Sequence, residues 1–582
     1  MALTLIFLSI GLPWLGALIV WLIGDKHEKT QHWTAILFSV LAAASAVLML
    51  WNTSAEAGLT IHVGDIFGDF SFTTDGLGVF LSIIATVVGS LAVIFSSSYM
   101  KGEAQIGRYY AFVLFFIGAM VGLVLTSNLL LMFLFWEITA LCSYALIAFH
   151  NDDPKAVKGG IKALLITSIG GVGLMVGAFF AYTYTGSFDI QVFMRSIQQV
   201  PAGVLAFLAF GFLVAAAAKS AQFPFQTWLP DAMEAPSPIS ALIHAATMVN
   251  AGVYLLARFY PVFKDVPYWR EAVMIVGMLS ALLAAIMALT SMDLKRVLAY
   301  STVSQLGYMV YAVGAGSVFA SQFHLFSHSI FKALLFLAAG AVIHSVGTRD
   351  MAQMGGVGKK LPFVKWVFII GALALSGIPV LNGFWSKEMV LEAGLAHGPL
   401  WIYIVMLVVA GLTALYTIRC VWMVFFGEAR SDYHAHKVEA PMKVALAPLA
   451  LAAAISWLAV GRFSLLLGEE TLPLHAIEPY GLKEMFHEVL SIPTLIALAV
   501  IALGIVLWLL RSKLGGLVDG LKSLRWAADN SFGFEAINSA VVRATNGLAD
   551  VLRKTQTGYL NWNVLGIIVA VILLFTFVWL GA

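Results

Sequence analysis

The stretch Lys219-Ser-Ala-Gln-Phe-Pro-Phe225 decides the fold of this chain, because it places a lysine and a proline inside a long apolar segment. Pro224 has no amide hydrogen and clashes with the preceding turn, so it interrupts a helix at this point. The stretch Gly377-Ile-Pro-Val380 repeats the pattern further along the chain. Within a bilayer, an interrupted backbone must find its hydrogen bonds in protein or in water. Both stretches therefore predict a broken helix with a hydrated centre, which is typical of transporters.

The composition excludes a water-soluble protein. Of the 582 residues, 61% are hydrophobic and 11% are charged, and the mean hydropathy is +0.92, whereas soluble domains carry about 25% charged residues. The formal net charge of +2 leaves no basic stripe for a phosphate backbone, so we expect no nucleic acid partner. The two cysteines, Cys142 and Cys420, cannot build an iron–sulfur cluster or a four-cysteine zinc site, so we expect no cofactor in this chain.

Sixteen apolar segments are long enough to cross a bilayer as helices, which takes about 17–25 residues each. The first lacks the basic start and the small-residue cleavage site of a signal peptide, so we expect it to be retained. The predicted spans lie near 2–23, 33–52, 76–98, 109–126, 129–149, 162–184, 203–228, 238–259, 271–290, 297–316, 321–345, 362–396, 400–426, 444–467, 490–510 and 562–580.

Basic residues in the short loops predict the orientation. If both termini face outward, the outside loops hold only Arg195, Lys264, Arg270 and Lys483 of the 33 lysines and arginines. Most of the others then lie in inside loops. A missed span would reverse every later loop and destroy this bias, so the bias supports both the orientation and the number of spans.

The segment 512–561 differs from the apolar segments. It is polar, contains no proline, and repeats apolar residues at helical spacing between Phe534 and Leu552. This pattern predicts an amphipathic lateral helix along the inner surface, tethered by the last span. The alternative is a solvated connector.

Three local matches in the same order indicate an internal duplication. They join Thr126-Ser127 and Tyr144 with Thr290-Ser291 and Tyr308, Lys162-Ala-Leu-Leu with Lys332-Ala-Leu-Leu, and the two proline breaks. The copies would be spans 4–8 and 9–13, and an odd number of spans makes the second copy inverted. The predicted regions are spans 1–3 (1–108), the first five-helix repeat (109–260), the second, inverted five-helix repeat (261–427), spans 14 and 15 (428–511), the lateral helix (512–561) and the final span (562–582).

Charged residues within spans are expected to have a function, because placing each of them at the bilayer centre costs about 2.5–3.5 kcal/mol. Arg258, Arg419 and Arg462 lie near span ends, where a long side chain can reach the headgroups. Lys219 and Glu137 lie deeper and form a predicted pair. A buried lysine facing a movable carboxylate can exchange a proton near neutral pH. The alternative is a fixed salt bridge that only orients helices.

Three titratable residues on span 11 form a stripe. His324, His328 and Lys332 are spaced i, i+4 and i+8, so they share one helix face over about 12 Å. Such a stripe can pass protons through rotamer changes and intervening water. The alternatives are histidines satisfied by packing and metal ligation, and metal ligation is disfavoured because no thiolate lies near in the sequence.

Three further groups have open roles. His244 on span 8 is placed to connect Lys219 with the second repeat, or it is a packing residue. Lys387 and Glu388 follow the second break and are either an outlet or an ion pair at headgroup level. The group Asp293, Lys295 and Arg296 is interpreted as an inner-loop anchor.

These residues resemble the antiporter-like subunits shared by respiratory complex I, Mrp-type Na+/H+ antiporters and membrane-bound hydrogenases. The resemblance covers about residues 76–427, and it is greatest with the distal, NuoL-type subunit of complex I because of the run Leu-Cys142-Ser-Tyr, the run Gln226-Thr-Trp and the extra C-terminal spans. Its most specific stretches are Phe135-Trp-Glu137, Lys219 to Met233, Ser240 to Met248, Asp293 to Thr302, Phe323 to Phe336, and Phe384-Trp-Ser-Lys387-Glu388.

The resemblance implies fourteen core helices. By position, Glu137 and Lys219 are similar to the family's glutamate–lysine pair, Lys332 with His324 and His328 to the central relay, and Lys387 to the outlet lysine. Together with His244 and Glu388, these residues form the predicted proton relay. The resemblance also implies other membrane subunits, further antiporter-like subunits among them, and a hydrophilic redox arm in other chains. We expect location in a prokaryotic cytoplasmic (inner) membrane. Relatives often carry an aspartate on span 6, where this chain has Gly170-Gly171, so that acid is not carried over.

The sequence thus predicts a proton-translocating subunit of a redox-driven pump resembling complex I, of the NADH:quinone oxidoreductase type, with no redox centre of its own. The alternatives are a subunit of an Mrp-type Na+/H+ antiporter or membrane-bound hydrogenase, and an energy-coupling module for carbon dioxide hydration.

Overall fold

A computed structural model describes residues 2–64, 69–432, 437–489, 491–513 and 520–555, with short pieces between 564 and 576. Contacts divide the chain into two units, Met1–Leu521 and Lys522–Ala582. The described part is mostly helical, as the sequence predicts.

The helices of the first half are α1 (Ala2–Ile23), α2 (Glu28–Leu48), α3 (Gly76–Tyr99), α4 (Ile106–Leu125), α5 (Leu129–Ile147), α6 (Pro154–Thr185), α7 (Ile190–Arg195), α8 (Ala202–Lys219), α9 (Trp228–Asp231), α10 (Ser237–Ala241) and α11 (Met248–Phe263). The later helices are α12 (Trp269–Thr290), α13 (Leu294–Gly314), α14 (Val318–Val346), α15 (Val357–Lys360), α16 (Pro362–Ser376), α17 (Asn382–His397), α18 (Leu400–Phe425), α19 (Ala440–Ile455), α20 (Val460–Leu466), α21 (Leu482–Val489), α22 (Ile492–Leu509), α23 (Lys522–Asp529) and α24 (Phe534–Thr555).

Thirteen helical segments among the described residues are long and apolar enough to cross a membrane. They correspond to thirteen of the sixteen predicted spans. The tenth predicted span is α13, which is a continuous but more polar helix, and the twelfth is divided between α16 and α17. The final span, 562–580, lies largely outside the described residues, so sixteen stays a prediction.

The predicted outside loop 53–75 contains a β-hairpin, which the all-helical prediction did not include. Strand β1 (Ser54–His62) pairs antiparallel with β2 (Asp69–Thr74), with Ser54 opposite Thr74 and His62 opposite Asp69. Phe72 pairs in turn with Thr126 at the end of α4. This end of the bundle is called the hairpin side below.

Both predicted breaks are present. Helix α8 ends at Lys219 and the chain becomes helical again at Trp228, so the span predicted to reach 228 ends earlier. Helices α16 and α17 are separated by residues 377–381, so the span predicted at 362–396 is two helices. Protein atoms satisfy part of the first break, since the Phe223 amide donates to Ser280 Oγ over 2.8 Å.

The two halves share a local pairing at opposite ends of the bundle. Asn128, the N-cap of α5, forms a bridge with Asp189 next to the hairpin. Asp293, the N-cap of α13, forms a bridge with Asp350 in the same antiparallel manner. This correspondence favours an inverted duplication, which stays a prediction.

A third irregularity interrupts the span predicted at 238–259. Residues Leu242–Ala246 form a π-helical turn between α10 and α11, and His244 lies within it. No proline or glycine falls in this turn, so the break signals that identified the other two interruptions were missing. π-Helical turns occur frequently at functional sites.

The second unit contains helices in the region of the predicted lateral helix. One continuous amphipathic helix was predicted, but α23 and α24 are separate, because Ser531, Phe532 and Gly533 adopt positive φ angles. Its position along the membrane surface stays a prediction.

Candidate functional site

Seven of the eight predicted relay residues are buried within the bundle. Lys219, His244, His324, His328 and Lys332 are fully buried, while Lys387 is 2% exposed and Glu388 is 9% exposed. Glu137 is only half-buried. The ionisable groups therefore lie away from lipid except at Glu137, where the row reaches the lateral surface of the chain.

Lys219 and Glu137 are neighbours through Trp136, and the alternative of a fixed salt bridge between them is not present among the described residues. The Lys219 ammonium donates to the Trp136 carbonyl over 2.7 Å and lies 4.8 Å from the Trp136 ring centroid. The Glu137 carboxylate accepts a hydrogen bond from Ser168 Oγ over 2.7 Å. Among the described residues, no ion pair joins the two side chains. Their closeness comes instead from Trp136, which binds Lys219 and precedes Glu137 in the chain.

Gly171 makes room for the Glu137 carboxylate. A Cβ atom at Gly171 would lie 2.4 Å from Glu137 Oε1, so a side chain here would displace the acid. Oε1 is buried and has no hydrogen-bond partner among the described atoms. Gly171 thus packs against the acid of the neighbouring helix, whereas a Cβ atom at Gly170 would meet Ala218 instead.

Lys332, His328 and His324 share α14, as their spacing predicts. The Lys332 ammonium donates to the Leu298 carbonyl over 3.0 Å and to Ser301 Oγ. Neither ring nitrogen of His328 has a hydrogen-bond partner in the described part of the chain. Because a buried polar group without a partner is costly, this region is suited to ordered water.

His324 connects three helices. Its Nδ1 atom lies 2.9 Å from Ser386 Oγ on α17, and its Nε2 atom lies 3.1 Å from Gln305 Oε1 on α13. These contacts link the stripe on α14 to the half-helix that follows the second break.

His244 contacts the second predicted repeat. Its ring lies 4.6 Å from the Phe336 ring of α14, centroid to centroid. Within the described residues, both of its ring nitrogens lack hydrogen-bond partners. No described contact joins it to Lys219, so that half of the predicted connection would need water.

Lys387 and Glu388 are both buried, which argues against an ion pair at headgroup level. The Lys387 ammonium donates to the Leu375 carbonyl over 2.7 Å, at the end of α16 beside the break. Glu388 Oε1 accepts a hydrogen bond from Thr494 Oγ1 of α22 over 2.8 Å. The second break therefore supplies a backbone acceptor to an ionisable side chain.

Neutral polar residues complete the row, and the sequence reasoning missed them. Among the described residues, the amide side chains with a buried atom that lacks a hydrogen-bond partner include those of Gln222, Gln226, Asn250, Gln305, Gln322 and Asn382. Their signal was available, because amides recur inside apolar spans.

The prediction that Arg258 reaches the headgroups is wrong. Its guanidinium pairs with Asp75, with 2.5 Å between Nη1 and Oδ2, and both side chains are 3% exposed. Arg419 is also buried, and its Nη2 atom donates to the Ser291 carbonyl over 2.9 Å. Internal acceptors hold both residues inside the bundle.

The predicted anchor is part of an ionic cluster at the end opposite the hairpin. Asp231 pairs with Lys162 at 2.7 Å and with Arg296 at 3.5 Å. Asp293 pairs with Arg349 at 3.2 Å. Lys295 donates to the Met233 carbonyl over 2.8 Å and to the Ala235 carbonyl over 2.5 Å. The cluster thus ties the connector after the first break to α6 and α13.

The described residues contain no group of three or more side chains placed to hold a metal ion. Cys142 and Cys420 are buried and unpaired with each other.

The fold and this row of residues define an integral membrane protein with two broken helices and ionisable groups along its interior. Residues 126–413 match the family model described as NADH:quinone oxidoreductase/Mrp antiporter, TM. Residues 61–110 match the model described as NADH-Ubiquinone oxidoreductase (complex I), chain 5 N-terminus. The chain belongs to this family of antiporter-like membrane subunits.

Named relatives and solved structures agree with this assignment. The chain is 42% identical over 449 residues to NAD(P)H-quinone oxidoreductase chain 5 of Synechocystis sp., covering 72% of this chain and 66% of the relative. It is 40% identical over 416 residues to the chloroplastic NAD(P)H-quinone oxidoreductase subunit 5 of Nymphaea alba, covering 69% of this chain and 55% of the relative. The chain therefore spans little more than half the length of some curated relatives.

Among solved structures, the Mrp complex from Dietzia sp. DQ12-45-1b contains a chain that superposes with a TM-score of 0.85 at 26% identity, covering 99% of this chain and 63% of that chain. The membrane-bound sulfane sulfur reductase, an archaeal respiratory membrane complex, superposes with a TM-score of 0.71 at 24% identity, covering 83% of this chain and 99% of that chain. The second similarity supports the fold alone.

Proposed function

We propose that this chain is a proton-translocating subunit of a redox-driven membrane complex resembling complex I. The observation that carries the proposal is the row of buried ionisable and amide groups between Glu137 and Glu388, several of which lack protein partners. Maintaining such groups inside a membrane is costly. Binding of water and exchange of protons along this row would explain why the protein keeps these costly groups.

In the proposed route, a change of charge near Glu137 alters the proton affinity of Lys219. Lys219 passes its proton toward Lys332 through water near His244, and the proton continues along His328 and His324 toward Lys387. The two predicted five-helix repeats would each contribute one of the broken helices to this route.

The position of Glu137 indicates that a neighbouring membrane subunit packs on one face of the chain. The carboxylate is half-buried beside exposed apolar side chains of α5 and α6, among them Leu134, Leu141 and Ile169. A carboxylate facing lipid would be costly. A further antiporter-like subunit packed on this face would cover the carboxylate and could supply the change of charge. The hydrophilic redox arm would belong to other chains.

An Mrp-type cation/proton exchanger is the second candidate, because the Mrp complex superposes over 99% of this chain. The composition of the purified complex separates the candidates. Flavin and iron–sulfur subunits would support the redox pump, and small hydrophobic antiporter subunits would support the exchanger. A zinc-containing hydratase partner would instead indicate carbon dioxide hydration.

Lys219→Ala in the whole complex tests the relay. We expect proton translocation in proteoliposomes to fall at least tenfold while the complex assembles at normal yield. Lys155→Ala is the matched control, because Lys155 is exposed outside the bundle. Full translocation by Lys219→Ala would refute the relay.

We further propose a prokaryotic cytoplasmic membrane with both termini outside, on the basis of the loop charges. Tagging residue 430, in an inside loop, and residue 198, in an outside loop, tests the orientation by protease access in intact cells and in inverted vesicles.

A further inference from the structure

Helix α22 lies beyond the residues that the two family models match, and it borders the second break. Only four of its 18 residues are buried, and the others are exposed or half-buried. The buried four are spaced by three, four and three positions, so they share one face of the helix; they are Thr494, Ala497, Ile501 and Gly504. A single stripe therefore attaches α22 to the bundle.

The stripe packs against α18 and against the second break. A Cβ atom at Gly504 would lie 2.2 Å from the Gly411 carbonyl oxygen, so α22 and α18 are in close backbone contact. Ile501 packs against α18, and Ile378 of the second break joins the same apolar cluster. These contacts fix the position of α22 beside the break, because a bulkier residue at position 504 would force the two helices apart.

The first residue of the stripe binds Glu388. Thr494 Oγ1 donates to Glu388 Oε1 over 2.8 Å, and Ser491 Oγ lies 2.9 Å from Thr494 Oγ1. Because a carboxylate only accepts hydrogen bonds, the Thr494 hydrogen points to Glu388, and Ser491 donates to Thr494. Two hydroxyl groups in series polarise each other, which strengthens the bond to the carboxylate. The positive end of the α22 dipole lies on the same side and also favours a negative charge there.

Lys387 and Glu388 are consecutive residues that bind different elements. The Lys387 ammonium donates to the Leu375 carbonyl of α16, whereas the Glu388 carboxylate is bound by α22. The Glu388 charge also acts on the Lys387 ammonium. A hydrogen bond to a carboxylate favours its charged form, and a nearby negative charge favours a protonated amine. The proton affinity of Lys387 therefore depends on whether α22 keeps Glu388 charged and in place.

We propose that Thr494 is a positioning residue, which sets the proton affinity of Lys387 by holding the Glu388 carboxylate. The inference rests on the proposed function. Thr494 takes no proton from the buried row, and its hydroxyl acts only through Glu388. The helix that carries it is otherwise apolar, and packing along one stripe brings this one hydroxyl to the second break.

Thr494→Val in the assembled complex tests this role, because valine keeps the shape of threonine and removes the hydroxyl. We expect proton translocation in proteoliposomes to fall at least threefold while the complex assembles at normal yield. Thr494→Ser keeps the hydroxyl and should translocate within twofold of the native complex. Thr183→Val is the matched control, because the exposed Thr183 hydroxyl donates to the Phe179 carbonyl of its own helix; translocation should be unchanged.

Infrared spectroscopy of the same complexes gives a readout besides translocation. Acid–base difference spectra contain the carbonyl stretch of protonated Glu388, which is assigned by its loss in Glu388→Gln. This band should move to higher wavenumber in Thr494→Val, because the carbonyl loses its hydrogen bond, and it should keep its position in Thr494→Ser. An unchanged band in Thr494→Val would overturn the inference.

The translocation results separate this inference from the proposed function. Native and Thr494→Val complexes that move protons equally well would overturn the role of Thr494 alone. Equal losses in the valine and serine variants would also overturn it, since the hydroxyl would then not be the group that matters. If the native complex moves no protons, the proposed function fails, and the role of Thr494 fails with it whatever the infrared spectra show.

Discussion

Asp75 and Arg258 form a buried ion pair although 183 positions separate them in the chain. Asp75 is also the N-cap of α3, and Arg258 receives further contacts from the Tyr254 hydroxyl at 3.1 Å and 3.0 Å. The pair joins α3 to α11 at the hairpin side. Asp75 supplies a counter-charge to the Arg258 guanidinium inside the bundle, so Arg258 does not need to reach the lipid headgroups.

Asp75→Asn should destabilise the protein strongly, because it leaves the Arg258 guanidinium buried without a counter-charge. Breaking one side of a buried pair costs about 3–5 kcal/mol. We expect a lower thermal aggregation midpoint for the solubilised complex. The double variant Asp75→Asn with Arg258→Met should lose less. Asp69→Asn is the control, since the Asp69 side chain makes an exposed contact with His62.

Gly383→Ala should disturb the second break. A Cβ atom at Gly383 would lie 1.9 Å from the Ala374 carbonyl oxygen, so α16 and α17 would have to separate. Overpacking of this kind costs about 1–3 kcal/mol or more. Gly203→Ala has no neighbour within 4 Å and should be neutral or slightly stabilising. Equal thermal midpoints for the two variants would contradict the close packing at the break.

Glu137→Gln tests whether proton translocation needs the charge of the carboxylate or only its hydrogen bond. The amide can still accept the Ser168 hydrogen bond, so assembly should be normal, whereas proton translocation should fall at least tenfold. Ser168→Ala removes that bond and keeps the charge, so it should retain most of the translocation. The measurement is acidification of proteoliposomes that contain the whole complex. Equal activities of the two variants would mean that the carboxylate charge is not used.

His475 should make the attachment of residues 467–481, the segment between α20 and α21, pH-dependent, because its Nε2 atom lies 3.0 Å from the Ala257 carbonyl. Burial, aided by the nearby Arg258 charge, lowers the pKa of His475 from 6.5 to about 4. Above pH 6.5 the imidazole is neutral whether attached or released, so attachment is fully stable there. Between pH 6.5 and 4 only the released segment binds the proton, so stability falls by at most about 3 kcal/mol.

Hydrogen–deuterium exchange in residues 467–481 measures this effect, and exchange corrected for the intrinsic rate should rise as the pH falls through this window. His475→Gln should remove the dependence. A profile that is flat down to pH 4 in the native chain would contradict the buried neutral imidazole.

The sequence predicted the breaks better than the contacts. Pro224 and Pro379 identify two interruptions by a local mechanism, which needs no knowledge of neighbouring helices. The π-helical turn at His244 has no such signal, because its residues, Leu242–Ala246, include neither proline nor glycine. The β-hairpin was missed although Phe70-Ser71-Phe72 alternates apolar and polar residues as a strand does, because its strands are far shorter than the apolar segments from which the elements were predicted.

The candidate site likewise combines features that the sequence predicted with contacts that it did not predict. The spacing of His324, His328 and Lys332 placed them on one helix face, since 3.6 residues per turn fixes that relation. The acceptor that Lys219 uses was not predicted, because a carbonyl acceptor at Trp136 has no sequence signature. A backbone oxygen is present at every position, and only packing selects one.

By itself, the sequence determined that the chain is a membrane protein, where most spans lie, where two helices break and which ionisable groups enter the apolar segments. Local rules of hydropathy, helical period and proline geometry are sufficient for these features. The tertiary structure alone decided that Arg258 pairs with Asp75, that His324 connects α13 with α17, and that Glu388 accepts a hydrogen bond from Thr494 of α22. Such relations join residues far apart in the chain, and they exist only once helices pack against one another.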